Sequence, residues 1–488
     1  MKKITTRKED YSQWYLDVVE AAELAEHSIV KGCMIIKPHG YAIWEAIRDE
    51  LDKMIKETGH VNAYFPLFIP KSLFAKEAEH VKGFAKEMAI VTHHRLIEKE
   101  GEGVVVDEDA KLEDELIVRP TSETIIMEAY KRWLQSWRDL PIKMNQWANV
   151  VRWEMRTRFF LRTTEFLWQE GHTVHETHEE AMDETMQMLE VYRRLAEDFL
   201  AIPVVKGYKS EQEKFAGADT TLTIEAMMQD GKALQSGTSH YLGQNFSKAF
   251  ELEYVDREGN IQNPYTTSWG VSTRIIGALI MAHGDDKGLV LPPKVSRTKC
   301  VIVPIWRDDN IKPIKDYCDK VMDHLTSAGV SYHFDDRDNL TPGAKFNEWE
   351  KKGIPLRLEI GPKDMEKNSV VVVRRDTGDK LFVNVEDIGN EVVKTLELIQ
   401  KELFDKAVRF REDNSYKVND YSEFKRMAKD KGGFIHSPWC GSKDCEDNIK
   451  YDTKMTTRCR PLDAKEIDGK CIYCGKKAQY EWIFAQAY

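Results

Sequence analysis

The sequence has 488 residues, enough for roughly three domains of about 150 residues each. With 42% apolar and 31% charged residues, and no run near 18 consecutive apolar residues, it indicates a globular protein and excludes a membrane-spanning one. The formal net charge of -11 argues against indiscriminate nucleic-acid binding but leaves room for a local basic groove. The charged start, MKKITTRKEDYSQWY, lacks the apolar core of a signal peptide, so we expect a cytoplasmic protein.

Two helices are predicted first, over 12–26 and 41–59, because apolar residues recur there at helical spacing and Gly59 stops the second. The run VNAYFPLFIP that follows is typical of an edge strand, since its two prolines cannot donate to a ladder. We expect an acidic loop over 98–115, then the strand LIVRP and a helix that begins near Thr121.

Residues 145–255 alternate short strand-like runs with one strong helix over 179–201. This is the pattern of an antiparallel sheet with helices packed on it, and thus of the α+β class. A turn that opens a helix follows over 269–288, and 289–299 has the composition of a linker. Strands and helices then alternate as in a compact α/β domain, before a charged, helical segment that begins near residue 405 and leads to a cysteine cluster.

The stretch VVRWEMRTRFFLRTTEFLWQEGH concentrates arginine, glutamate and aromatic residues. Both VVRWEM and TTEFLWQEGH have strand composition, so a hairpin would bring Arg152, Glu154, Arg162 and Phe166 together on one face. Guanidinium groups match phosphate oxygens, a carboxylate can accept from the adenine amino group, and an aromatic ring stacks on a base. The alternative is a solvated hairpin in which arginines and glutamates pair with one another.

Three motifs in chain order resemble those of the class II aminoacyl-tRNA synthetases. The run GHVNAYFP, after the long helix, resembles motif 1, the dimer-interface element, at about 40–66. RWE followed by a loop and RTTEF resembles motif 2, at about 150–172. GVSTR, which opens an apolar helix, resembles motif 3, at about 268–284.

Finer details, TSE, GTSH and FLWQEGH, resemble the prolyl-tRNA synthetase family of the archaeal and eukaryotic-like type over essentially the whole chain. The resemblance implies an antiparallel-sheet catalytic domain over 1–290, an α/β anticodon-binding domain over 291–403 and a small α/β zinc-binding domain over 404–488. It also implies a homodimer that activates L-proline with ATP and Mg²⁺ and transfers the prolyl group to tRNA(Pro).

The ATP site implied by the resemblance depends on arginines that position and neutralise phosphates. Arg152 would bridge the α-phosphate and the proline carboxylate, and Arg162 would hold the outer phosphates. Arg274 would stack on adenine opposite Phe166 and reach the γ-phosphate. Glu154 would read the adenine edge, and Gln235 would contact Mg²⁺, although a single glutamine is as often an ordinary surface amide. The predicted catalytic residues are Arg152 and Arg274. The predicted ATP-binding residues are Arg152, Glu154, Arg162, Thr163, Phe166, Gln235, Thr238, Ser272 and Arg274.

The proline site implied by the resemblance pairs Thr121 and Glu123 with the imino nitrogen and surrounds the ring with aromatic walls. The predicted proline-binding residues are Thr121, Glu123, Arg152, Trp168, Glu170, His172, Phe215 and His240. Taken alone, TSE before a helix is more often a capping signature, and an aromatic residue such as Phe215 is more often a core residue.

Substrate discrimination by such a pocket is limited, because a missing methylene is worth only about 1–3 kcal/mol. We therefore expect alanine and cysteine to be mischarged. Since only about 100 residues separate Glu170 from Gly270, we expect no internal editing domain.

Five of the eight cysteines lie in the last 50 residues. Their pairs, Cys440 with Cys445 and Cys471 with Cys474, have the spacing of a structural zinc site. Cys459 could replace one ligand, although the family spacing favours the other four. Tyr488 matches the family's terminal tyrosine, whose carboxylate approaches the active site; the alternative is an apolar tail packed on the zinc subdomain.

The anticodon contacts are open, because a solvated face explains each candidate as well. Those we would test are Arg337, Lys345, Phe346, Glu348 and Arg357. Rival interpretations are a threonyl, glycyl or histidyl enzyme of the same class, and a synthetase-like regulator that has lost catalysis. The threonyl enzyme needs a catalytic zinc, for which no Cys/His/His set lies near motif 2, and regulators typically lose the motif arginines that this chain retains.

Overall fold

A computed structural model describes residues 3–74, 88–306 and 310–488 of the chain. The amino-terminal elements are α1 (Tyr11–Ala21), β1 (Ala25–His27), β2 (Met34–Ile36), α2 (Pro38–Glu57), β3 (Val61–Asn62), β4 (Phe68–Pro70), α3 (Lys71–Phe74), β5 (Ile90–His93), β6 (Leu96–Lys99), β7 (Gly103–Val106), β8 (Lys111–Val118) and α4 (Glu123–Trp133). The two predicted helices are present as α1 and α2, but the first ends at Ala21, and the end of its predicted range belongs to β1.

Two predictions in this part are wrong in detail. VNAYFPLFIP forms two short strands, β3 and β4, which belong to different sheets. The expected loop over 98–115 contains the β6–β7 hairpin and the start of β8. Both faces of the hairpin are largely exposed, so its strands, LIEK and GVVV, lack the alternation of apolar and polar residues that marks a half-buried strand.

The central elements are β9 (Ile142–Val151), β10 (Glu165–His175), α5 (His178–Arg194), β11 (Val204–Tyr208), β12 (Thr220–Met227), β13 (Ala233–Gly243), α6 (Asn245–Ala249), β14 (Tyr254–Val255), β15 (Ile261–Gln262), β16 (Tyr265–Ser272) and α7 (Arg274–His283). The hairpin predicted from motif 2 is present, since β9 and β10 pair antiparallel. It is shorter than predicted, because Arg152–Met155 leave the sheet and belong to the connecting loop.

The central sheet has the strand order β11-β12-β13-β16-β10-β9-β3 in the described chain, with β3 parallel to β9 at one edge and the other neighbours antiparallel. One face packs on α5 and α7 through apolar residues such as Leu222, Ile224 and Val271. On this face Gly171 is required, since a Cβ there would lie 2.0 Å from the ring of Trp269. The other face carries polar side chains, Thr221, Thr223 and Glu225 among them, that are buried all the same.

The next segment contains β17 (Cys300–Pro304), α8 (Ile311–Ser327), β18 (Tyr332–Phe334), α9 (Pro342–Lys352), β19 (Leu356–Ile360), α10 (Pro362–Glu366), β20 (Ser369–Arg374), β21 (Lys380–Asn384) and α11 (Ile388–Asp413). Its strands form a sheet in the order β18-β17-β19-β20-β21, with its own apolar core. This is the compact α/β unit predicted from the alternating pattern. Helix α11 runs without a break past residue 403, where the sequence suggested a domain boundary.

The carboxy-terminal segment contains β22 (Ser415–Lys417), α12 (Tyr421–Asp430), β23 (Phe434–Trp439), α13 (Lys443–Thr453), β24 (Thr456–Pro461), β25 (Gly469–Lys470), β26 (Lys477–Ala478) and β27 (Tyr480–Ala485). Its sheet, β22-β23-β27-β24, continues the central sheet because β24 pairs antiparallel with β11. The amide of Ala233, the first residue of β13, also donates to Gln486 O at 2.8 Å. The segment is therefore joined to the central sheet at two places.

No helix in the described ranges is long and apolar enough to cross a membrane.

Candidate active site

A cavity of about 440 Å³ opens on the polar face of the central sheet. The predicted residues that line it are Thr121, Glu123, Arg152, Phe166, Trp168, Glu170, His172, Phe215, Gln235, Thr238, His240, Ser272 and Arg274. Residues predicted for the ATP and proline sites thus share one continuous cavity.

Strand alternation explains why these residues face one side. Even-numbered residues of β10, from Phe166 to His172, point to the same face because side chains alternate with a period of two. Gln235 has the opposite parity to Thr238 and His240 on β13, yet it lines the same cavity. A β-bulge opposite Ile224 and Glu225 inserts one residue into β13 and so re-aims Gln235.

The TSE sequence lies at the buried start of α4. The Thr121 hydroxyl donates to a carboxylate oxygen of Glu123, and the Ser122 hydroxyl donates to Glu170 Oε1. The N-cap, Ser122, makes no side-chain capping hydrogen bond. The capping alternative therefore does not account for this sequence, of which Thr121 and Glu123 line the cavity while Ser122 supports Glu170.

Glu170 and His172 form a buried ion pair, with 2.9 Å between Glu170 Oε2 and His172 Nε2. Burial opposes both charges, but the contact with Glu170, helped by Glu123, raises the pKa of His172 above its usual 6.5. Burial is likewise outweighed at Glu170, whose pKa is lowered by His172, Ser122 and Gln146. The pair fixes the two side chains that the sequence suggested would hold the pocket walls.

Arg152 lines the cavity together with acidic and aromatic residues. Its Nε donates to Pro120 O at 2.9 Å, and its guanidinium carbon is 5.5 and 5.4 Å from the ring centroids of Phe166 and Trp168. Burial lowers the pKa of Arg152, while Glu123 and Glu170 act in the opposite direction. A buried guanidinium flanked by carboxylates can bind one end of a zwitterion while a carboxylate binds the other.

Aromatic rings form one wall of the cavity. Phe215 stacks on His240 with 4.5 Å between centroids and 27° between planes. Burial, helped by the charge of His172, lowers the pKa of His240 to about 3, so this imidazole is neutral at pH 7. Phe215 also packs against the neighbouring apolar cluster. It is therefore both a core residue and part of the cavity wall.

Arg274 lies at the junction of β16 and α7. Its backbone amide donates to Ser272 Oγ at 3.2 Å, and its Nε donates to Leu161 O at 3.4 Å. Burial lowers the pKa of Arg274 to about 10, and the charges of Arg152 and Arg162 act in the same direction. Clustered guanidinium groups of this kind provide a site for an anion.

Three predicted ATP residues do not line the cavity. Arg162 and Glu154 face each other in the loop after β9, with Nε and Oε2 3.5 Å apart, and Arg162 is 55% exposed. Thr163 Oγ1 donates to Glu165 O at 2.7 Å. Arg162 and Glu154 are thus paired with each other, as in the alternative of a solvated hairpin. Their contacts with ATP stay a prediction.

Other lining residues were missed, among them Glu213, Lys214, Thr221, Ser236, Ser268 and Gly270. The sequence TTSWGVS of β16 could have predicted Ser268 and Gly270, because polar or small residues alternate there with Trp269 and Val271, which face the core. Loop residues such as Glu213 and Lys214 carry no such pattern.

The four predicted zinc ligands cluster, with the sulfur atoms of Cys440, Cys445, Cys471 and Cys474 all within 4.8 Å of one another. The Cys440 sulfur is 3.7 Å from that of Cys445 and 3.8 Å from that of Cys474. Tetrahedral zinc with Zn–S bonds of about 2.3 Å separates its sulfurs by about 3.8 Å, so the cluster fits this ion. Cys459 lies apart from it, buried beside Gly207.

Tyr488 packs on the central domain. Its hydroxyl donates to Asp230 Oδ2 at 2.7 Å, and its ring lies 4.9 Å from Lys232 Nζ and 5.6 Å from the guanidinium of Arg158. The alternative of a tail packed on the zinc subdomain is therefore wrong for this residue, although Trp482 and Phe484 of the same tail do pack in the cluster that contains Cys445 and Cys471.

The anticodon candidates belong to an internal network of the α/β unit. Arg337 and Lys345 both contact Asp335. Lys345 is buried, and its ammonium donates to Asp335 O at 2.9 Å. Phe346 lies 4.3 Å from the guanidinium of Arg357. A solvated face does not describe Lys345, and nucleic-acid contacts of this set stay predictions.

Family models match three parts of the chain. Residues 105–283 match a tRNA synthetase class II core domain (G, H, P, S and T), residues 299–395 an anticodon binding domain, and residues 421–488 the prolyl-tRNA synthetase C-terminal model. The antiparallel sheet, its arginine-lined cavity and these matches define a class II aminoacyl-tRNA synthetase. Enzymes of this class use ATP and Mg²⁺.

Curated relatives cover the whole chain. The proline--tRNA ligase of Porphyromonas gingivalis (strain ATCC 33277) is 56% identical over 490 residues, which are 100% of this chain and 99% of the relative. Those of Christiangramia forsetii and Flavobacterium johnsoniae are 54% and 55% identical and cover 100% of both chains. The chain belongs to the proline--tRNA ligase family. This confirms the family resemblance, the α+β fold class and the assignment as a ligase.

The buried pair of Glu170 and His172 generates a pH-dependent prediction. His172, with its raised pKa, contributes stability below about pH 6.5 that is lost as the pH rises through its folded-state pKa. Glu170, with its lowered pKa, contributes stability above about pH 4.5 that is lost as the pH falls through its folded-state pKa. In a double-mutant cycle of E170Q and H172Q, we expect the coupling free energy from urea unfolding to be larger at pH 5.5 than at pH 9. Equal coupling at the two pH values would contradict a charged pair.

Proposed function

We propose that this protein activates L-proline with ATP to prolyl-adenylate and transfers the prolyl group to the 3′ end of tRNA(Pro). The observation that carries the proposal is that Arg152 lines one cavity with Glu123, Glu170 and the stacked rings of Phe215 and His240. A carboxylate, a guanidinium and an apolar wall are the partners that a small cyclic amino acid requires.

At the amino-acid end, Glu123 and Thr121 would bind the cationic imino nitrogen, while Arg152 would bind the proline carboxylate. Trp168, Phe215 and neutral His240 would enclose the ring. Glu170 and His172 would act indirectly, by holding these groups in place. Because the pocket selects by size and shape, alanine and cysteine should also enter. The pocket should favour proline over them by only about 1–3 kcal/mol.

At the nucleotide end, a proline carboxylate oxygen would attack the α-phosphorus of ATP, and the bond to the bridging oxygen of pyrophosphate would break. Arg152 and Arg274 would stabilise the charge that develops, as the catalytic residues. Phe166, Thr238 and Ser272 would contact the nucleotide, with Glu154, Arg162 and Thr163 supplied by the motif 2 loop. Mg²⁺, when bound, would neutralise phosphate charge, and Gln235 would hold it through its side-chain oxygen.

The domain proposal follows the sequence prediction: a catalytic domain over 1–290, an anticodon-binding domain over 291–403 and a zinc-binding extension over 404–488. The family-model matches lie within these ranges. Elements between motifs 2 and 3, from α5 to β15, belong to or flank the central sheet, which supports the absence of an internal editing domain.

We also propose a cytoplasmic homodimer. Apolar side chains near motif 1, Val61, Tyr64, Phe68 and Ile90, are between 43% and 71% exposed. A second copy of the chain would cover them, as expected of an interface. The relatives named above are bacterial enzymes of translation, which supports the cytoplasm.

Amino-acid-dependent ATP–pyrophosphate exchange tests the function. We expect exchange with proline, weaker exchange with alanine and cysteine, and none with the other amino acids. Exchange that depends on threonine, glycine or histidine would support another class II specificity. A folded protein without exchange for any amino acid would support the synthetase-like regulator.

Substitution of Arg152 tests the site. R152A should lower kcat/KM for proline-dependent exchange by about 100-fold or more, because it removes charge stabilisation of the transition state. R156A, in the same loop but outside the cavity lining, is the matched control and should change it less than about threefold. Circular dichroism should show both variants folded; equal activity of the two would contradict the assignment of Arg152.

Metal analysis tests the zinc proposal. The purified chain should hold about one zinc ion, and C440S or C471S should lower the zinc content and the thermal midpoint together. C459A removes a cysteine outside the cluster and should leave the zinc content unchanged. Loss of zinc from C459A, or wild-type protein with well under one zinc per chain, would overturn the ligand set.

A further inference from the structure

A buried ion cluster outside the proposed substrate contacts joins the carboxy-terminal segment to the central sheet. It consists of Glu225 on β12, Lys209 just after β11, and Arg458 on β24, whose side chains are 0%, 1% and 7% exposed. Buried charges are costly unless they are paired and hydrogen-bonded, so this arrangement calls for a reason.

The carboxylate of Glu225 is fully engaged. Arg458 Nη2 donates to its two oxygens at 2.9 and 3.2 Å, and Arg458 Nε donates to Oε2 at 3.1 Å. Lys209 Nζ and Thr223 Oγ1 each donate to Oε1 at 3.1 Å. Lys209 also donates to the backbone carbonyl of Arg458 at 3.1 Å, which closes the cluster.

The cluster lies next to the nucleotide end of the cavity. Glu225 is the cross-strand partner of Gln235, so both side chains point to the same face as direct neighbours across the strand pair. The charges of Glu225 and Arg458 also reach Arg274, where the first raises the pKa and the second lowers it. Arg458 thus acts on the electrostatics of the site from a segment that lines none of the cavity.

We propose that Arg458 is a positioning residue for ATP binding: it neutralises Glu225, so that Arg274 and Gln235 stay available to the triphosphate and Mg²⁺. The inference rests on the proposed function. Without Arg458, Glu225 would keep only one cationic partner, Lys209. The carboxylate would then attract Arg274 and repel phosphate oxygens, whereas the proline end would be unaffected.

The experiment compares two arginines of β24 in the full-length protein. R458M should raise the KM for ATP in proline-dependent exchange about tenfold, the effect of one unit charge over roughly 10 Å at an effective dielectric near 20. The KM for proline should stay within about twofold of wild type. The matched control is R460M, because Arg460 stacks on Tyr208 and Tyr480, at 4.5 and 4.4 Å. It should change neither KM by more than about twofold.

A double variant separates electrostatics from docking. E225Q/R458M removes the carboxylate together with its partner, so its KM for ATP should return to within about threefold of wild type. A merely structural junction predicts the opposite, that the double variant is at least as impaired as R458M.

The inference is overturned by an unchanged KM for ATP in R458M, by a parallel rise of both KM values, by a fall in kcat alone, or by a double variant that is not rescued. If R458M is insoluble, R458Q, which can still hydrogen-bond to Glu225, is measured by the same criteria. Wild-type protein without proline-dependent exchange would refute the proposed function itself, an outcome distinct from all of these.

Discussion

The site depends on one constraint of the central sheet, which is that both of its faces are buried although only one is apolar. Residues such as Leu222 and Ile224 pack on helices, while Thr221, Thr223 and Glu225 on the same strand lie on the opposite face. Polar groups removed from water must find partners within the protein or its ligands. The strand alternation therefore produces a densely hydrogen-bonded surface at the base of a cavity.

Charge balance on that surface explains its division into two ends. Near Glu170, acidic groups are matched by His172 and Arg152, which suits a ligand that carries both charges. Near Arg274, burial and the charges of Arg152 and Arg162 lower the pKa of the Arg274 guanidinium, and such a concentration of positive charge suits an anion. Adenylate formation needs these two environments side by side, since a zwitterion must attack a polyanion.

Local sequence patterns predicted the helices, the motif 2 hairpin, the α/β unit and the cysteine cluster, because each depends on periodicity or spacing within a short segment. The residues that line the cavity were assigned largely from family motifs. Two features escaped because they depend on distant pairing or on register: the junction of β24 with β11, and the β-bulge that turns Gln235 into the cavity. The β6–β7 hairpin escaped for another reason, since its strands are exposed on both faces and Gly101 and Gly103, with φ of 82° and 77°, resemble loop residues.

The hydrogen bond between Ala233 and Gln486 has a consequence for synthesis. The strand that presents Gln235, Thr238 and His240 leaves the ribosome about 250 residues before the segment that bonds to its first residue. At about 5–20 residues per second, that interval is roughly 13–50 s. During this time β11 also lacks its outer neighbour, β24, so the nascent catalytic sheet has an open edge. Assembly of the active-site sheet is thus completed by the carboxy-terminal segment and cannot finish while the protein is only partly translated.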